Sequence, residues 1–185
     1  MTYTASVMLD LGTAAPDFAL TDVVTGKMFQ RDDFRGNKAL LVMFLCAHWP
    51  YVKHINPALA ALGREYAQKG VGIVAISSND VSRYPDDSPE EMKQQAGSHG
   101  FVFPYLYDES QDVARAYQAA CTPDFFLFDG DFLLVYRGQF DSSRPKSSIP
   151  VTGEDLRRAI DQVLAGKAVP TDQTPSTACN IKWKR

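Results

Sequence analysis

Two short runs without a polar residue, 39–45 and 71–76, restrict the folds open to this chain more than any other feature. Each is short for a buried helix and lacks the alternation of a strand with one wet face. Both therefore read as strands covered on both sides. Between them Val52, Ile55, Leu59, Leu62 and Tyr66 recur at helical spacing, from Pro50 to Lys69-Gly70. Proline suits a first helical position because it has no N–H to leave unpaired there. Pro57, inside the pattern, predicts a kink. Strand, helix and strand in that order point to a layered α/β architecture.

The remaining elements fit the same plan. Ser88-Pro89-Glu90-Glu91 combines a serine cap, an early proline and a glutamate at the third helical position, and Gly100 supplies a left-handed stop. Residues 103–107 read as a short strand and 111–118 as a short helix. Residues 125–128 and 132–136 flank Asp129-Gly130-Asp131 as an antiparallel hairpin. Thr152 opens a last helix that runs to Gly166. Ahead of these, residues 15–22 alternate weakly before a turn at Gly26, which predicts an N-terminal hairpin. The 185 residues suit one domain. The expectation is a single domain over 1–185 with a central mixed sheet flanked by helices, a hairpin extension over 1–37 and an unstructured-looking tail over 167–185.

Nineteen Lys and Arg against 22 Asp and Glu leave a net charge of −3. That balance argues against nucleic acid as a partner, because phosphate binding needs a basic face. Lys182, Lys184 and Arg185 form the one basic cluster and read as a solvated tail tip. No apolar run nears the ~20 residues of a membrane span, so no membrane partner is expected. The first ten residues lack the basic start and apolar stretch of a secretion signal, which makes the cytoplasm the expected location. Three cysteines are too few for a disulfide scaffold, so Cys46, Cys121 and Cys179 are expected to begin as free thiols. Cys46-x-His48 offers two metal-donor types without a third in the motif. Neither metal nor cofactor is expected.

The order of elements resembles a thioredoxin-like fold. Ala15-Pro-Asp-Phe-x-Leu20, Gly26-Lys27 and Asp33-x-x-Gly36-Asn37 resemble its peroxiredoxin-like branch, the alkyl hydroperoxide reductase/thiol-specific antioxidant group. Residues 77–80, 84–90 and 121–128, with Cys179-Asn-Ile-Lys-Trp183, resemble a narrower set of bacterial thioredoxin-like proteins. The resemblance implies a thiol-dependent oxidoreductase.

The family motif at the first strand's end is Cys-x-x-Cys-Pro, where this chain has Cys46-Ala-His48-Trp49-Pro50. Trp49 lies five residues after Phe44 and eight before Pro57, the counts that the nucleophilic cysteine shows in thioredoxins. From Cys46 they are two and eleven. The resemblance thus puts Trp49 at the nucleophile's place and Cys46 at the strand's end. Unpaired N–H groups and the positive helix end favour a thiolate at a helix start, and tryptophan cannot replace one.

By the same resemblance, Pro123 is the proline held cis beside the active cysteine. His48, Trp49, Pro50, Thr122 and Pro123 would line the substrate groove. Cys46 would attack a peroxide or a protein disulfide, Cys121 or Cys179 would resolve the product, and a cellular thiol reductant would restore the enzyme. Each thiol also has a plainer reading as core packing or an idle side chain. His48 reads equally as an exposed loop residue, and His54 and His99 as surface residues of helices. The alternative function is a redox-inactive binding or regulatory protein that offers Trp49 and Pro123 as a platform.

Overall fold

The computed structural model describes residues 3–185. The two apolar runs become β4 (Ala39–Phe44) and β5 (Val71–Ser77), buried at every residue and paired in parallel. Next to β5 lies β6 (Tyr105–Tyr107), also parallel. On the other side of β4, β8 (Asp124–Asp129) and β9 (Leu134–Gly138) run antiparallel. The central sheet therefore has the order β6-β5-β4-β8-β9 and is mixed.

Alternation along β4 divides the interior into two cores. Leu41 and Met43 face α1 (Pro50–Ala67), α2 (Pro89–His99) and α4 (Glu154–Leu164), with Leu59, Met92 and Ile160 in the same cluster. Leu40, Val42 and Phe44 face the other way, toward α3 (Asp112–Ala116) and Tyr117. The Tyr117 ring lies 5.6 Å from Phe44 and 5.9 Å from Phe126. Five residues placed at helical spacing in the sequence, Val52, Ile55, Leu59, Leu62 and Tyr66, form the buried face of α1, which continues through Pro57. Ser88 caps α2 by accepting the Glu91 N–H at 3.5 Å, and Gly100 ends it at φ 66°. No helix among the described residues is long and apolar enough to cross a membrane.

The N-terminal hairpin is present as β2 (Ala19–Thr21) paired with β3 (Met28–Gln30). Several boundaries move. The strand expected over 103–107 starts only at Tyr105, after a proline that has no N–H to give. The second hairpin strand starts at Leu134, because Phe132 turns at φ 61°. The short helix is bounded by Gln111 and Gln118, both with positive φ.

The tail is the main correction. Thr177–Asn180 forms β10, paired with β1 (Tyr3–Ala5) on one side and β7 (Cys121–Thr122) on the other. Ala178, Cys179 and Ile181 are buried. The strand has little local signal because both its partners are remote in sequence. Nor is Lys182 a solvated tip. Its N–H donates to Asn79 Oδ1 at 2.8 Å, and its carbonyl accepts from Asp80 N and Gln111 Nε2.

Candidate active site

The residues between β4 and α1 carry the motif. Cys46 follows the strand and is fully buried, while Trp49 is the N-cap of α1, with Pro50 as the first helical residue. Trp49 thus stands at the helix start, and Cys46 is set back. Across the loop, the Thr122 hydroxyl donates to Cys46 Sγ at 3.1 Å, and the Thr122–Pro123 peptide is cis. Thr122 and Pro123 therefore lie directly against the motif loop. Gln95 Nε2 donates to the Cys46 carbonyl at 3.2 Å, tying the loop to α2.

Electrostatics at Cys46 oppose ionisation. Burial pushes the thiol well above its ordinary range, and the Asp87 carboxylate pushes it further. The Thr122 hydroxyl and the Trp49 backbone N–H pull the other way, because both hydrogen-bond the anionic sulfur. Cys46 rests as a thiol. Burial raises Cys121 as well, with Asp124 adding to it. Burial also raises Cys179, where the nearby Lys182 charge offsets part of the effect.

Asp87 was not singled out in the sequence, although it lies inside the family-like stretch 84–90. It is completely buried. Its Oδ1 accepts the N–H groups of Ala47 at 2.8 Å and His48 at 3.2 Å, and its Oδ2 accepts from Asn79 Nδ2 at 2.7 Å. His48 Nδ1 lies 2.8 Å from Asp87 Oδ1, close enough for an ion pair but at an angle outside hydrogen bonding. His48 is therefore a partly buried partner of a carboxylate, which corrects its reading as a free loop residue. His54 also has a partner, Ser143 Oγ at 2.8 Å from its Nε2.

Trp49 is half-buried beneath the docked tail. Its ring centroid lies 4.4 Å from that of His48 and 6.5 Å from that of Tyr84. Lys182 Nζ sits 4.6 Å from the Trp49 ring centroid, a cation–π contact held by the Asn180 carbonyl and side chain. Beyond Pro123, a narrow cavity of about 30 Å³ is lined by Tyr51, His54, Phe140, Arg144 and Thr177 among others.

The three cysteines converge on Thr122. Cys46 touches its hydroxyl, Cys121 precedes it in β7, and Cys179 is its directly opposed partner in β10. All three are free thiols. Sequence reasoning picked out all three but had no means of seeing that β10 brings Cys179 to this point.

Known proteins share the family and the fold of this chain. The model of the AhpC/TSA family matches residues 11–137. A thiol-disulfide oxidoreductase ResA from Geobacillus kaustophilus is 26% identical over 163 residues, which is 87% of this chain and 82% of the relative. The solved structure of an uncharacterized conserved protein from Geobacillus kaustophilus is 53% identical with a TM-score of 0.97, covering 100% of this chain and 97% of its own. That of a hypothetical protein from Sinorhizobium meliloti is 49% identical with a TM-score of 0.96, covering 98% of each.

Proposed function

The chain belongs to the AhpC/TSA family and has a thioredoxin-like fold, and from that premise we propose a thiol-based oxidoreductase that exchanges disulfides at Cys46. One observation carries the reading: the Thr122 hydroxyl on Cys46 Sγ at 3.1 Å, immediately before Pro123. The anion that forms when Cys46 loses its proton has two donors waiting for it, Thr122 Oγ and Trp49 N–H.

In the proposed reaction the Cys46 thiolate attacks one sulfur of a disulfide, forms a mixed disulfide and expels the other sulfur as a thiolate. Burial and Asp87 make that thiolate scarce, each unit above pH 7 costing a factor of ten. Cys46 is also closed to solvent, so the loop must open before attack. Slow turnover follows from both effects. A disulfide is preferred to a peroxide as substrate because the Geobacillus kaustophilus relative is a thiol-disulfide oxidoreductase. A cellular thiol reductant in the cytoplasm would complete the cycle.

The test is single-turnover reaction with 4,4′-dithiodipyridine, following the released thiopyridone. The first phase is expected to vanish in Cys46→Ser. A phase that persists unchanged in that variant would remove Cys46 from the reaction.

A second reading, a redox-inactive binding protein, is favoured by one feature: the large Trp49 ring at the helix start, overlaid by Lys182. Under that reading Cys46 reacts no faster than global unfolding exposes it.

A further inference from the structure

β7 and β10 form a register whose chemistry the assignment of Cys46 leaves unused. Cys179 stands opposite Thr122, and Asn180 stands opposite Cys121. Directly opposed residues of an antiparallel pair project to the same face, and the next residue along projects to the other. Cys179 therefore shares the face of Thr122, whose hydroxyl is on Cys46 Sγ at 3.1 Å. Cys121 falls on the opposite face, where its thiol donates to the Pro123 carbonyl at 3.5 Å.

We infer that Cys179 is the resolving thiol for Cys46 and that the two form an intramolecular disulfide in the catalytic cycle. The inference rests on Cys46 as the attacking thiol and adds which second cysteine completes the exchange. In the resolving step the Cys179 thiolate attacks Cys46 of the mixed disulfide. A Cys46–Cys179 bond forms, the bond to the substrate sulfur breaks, and the substrate leaves as a thiolate that takes up the proton Cys179 released. Overall one disulfide is reduced to two thiols while two protein thiols become one disulfide. An external thiol then reduces that bond.

Two features of the surroundings suit Cys179 to this role. Lys182, three residues on, is held close by its bonds to Asn180, and its positive charge offsets part of the rise that burial imposes on the Cys179 thiol. In addition, β10 is fixed from both ends of its span. Ser6 N–H donates to the Ser176 carbonyl at 2.8 Å, and Lys182 is pinned by Asn79 and Asp80. Cys179 is thereby held opposite Thr122 before any substrate arrives.

The experiment treats the native protein with glutathione disulfide, caps free thiols with N-ethylmaleimide and maps the digested chain by mass spectrometry without reduction. The expected product joins Cys46 to Cys179 and leaves Cys121 capped. In Cys179→Ser, Cys46 is expected to accumulate as the glutathione mixed disulfide instead. A bond from Cys46 to Cys121, or Cys46 left as a stable mixed disulfide in the native protein, overturns the role of Cys179 while leaving Cys46 as the reacting thiol. A native protein with Cys46 wholly capped overturns both assignments.

Discussion

Asp87 Oδ1 accepts the Ala47 N–H at 2.8 Å, which fixes a buried carboxylate against the peptide leading away from Cys46. The contact shapes the loop and also suppresses the thiolate. Asp87→Asn removes the charge while keeping an acceptor for Ala47 and His48. The Cys46 thiol should then ionise more readily and react faster with a small disulfide at pH 7, on the order of tenfold. Stability should fall by about 1–3 kcal/mol. The new amide group meets the Asn79 amide, which cannot turn over without losing its bond to Lys182 N–H. Stopped-flow thiol kinetics and urea denaturation read the two effects.

Thr122→Val tests the opposite influence. The side chain keeps its shape but loses the O–H that supports the Cys46 anion. The exchange rate should drop by roughly two- to twelvefold, the equivalent of a hydrogen bond worth about 0.5–1.5 kcal/mol. Thr122→Ser retains the hydroxyl and should remain close to the native rate. Equal losses in both variants would assign the effect to packing.

Asp124 supplies a pH signature. Burial lifts its carboxyl to about 6, against hydrogen bonds from Ser6 Oγ and nearby backbone N–H groups. The unfolded value is about 3.9, so between these limits the native protein holds a proton that the unfolded chain has released. Stability from this group therefore falls as pH rises from about 4 to about 6, by roughly 3 kcal/mol. Asp124→Asn should abolish that slope, whatever it costs at a single pH. Urea midpoints of both proteins at pH 4 and pH 7 measure it.

Trp49→Cys restores the family motif Cys-x-x-Cys-Pro. The new thiol would occupy the N-cap of α1, where first-turn N–H groups and the helix dipole favour a thiolate. Insulin reduction should rise at least tenfold over Trp49→Ala, the control for removing the ring. Both variants should lose up to ~3 kcal/mol from the lost aromatic packing. No gain over Trp49→Ala would show that position 49 is not the nucleophile's seat.

The sequence revealed the layered fold wherever the signals were local. The apolar runs of β4 and β5, the Ser88 cap and the Gly100 stop each depend on neighbours a few residues away. It also revealed the cysteines and the Thr122-Pro123 pair, through motif resemblance. Contacts across long separations were hidden. Asp87 belongs to the site only because the segment before α2 folds its carboxylate under the Ala47 and His48 amides. Lys182 covers Trp49 only because β10 pairs with strands near both residues 3–5 and 121–122. A basic residue near the end of the 167–185 tail carries no local trace of that destination.

The pairing of Tyr3 with Cys179 has a kinetic consequence. Contacts between opposite ends of a chain carry the greatest loop-closure entropy and are slow to form. The central sheet and its helices can assemble through nearer contacts, so β1 and β10 are expected to join after them. Until they do, β7 keeps a bare edge and Trp49 lacks its cover. Any change that breaks the β1–β10 pairing would bare the β7 edge and the Trp49 ring together, and an unpaired edge of that kind is a template for pairing with a second chain.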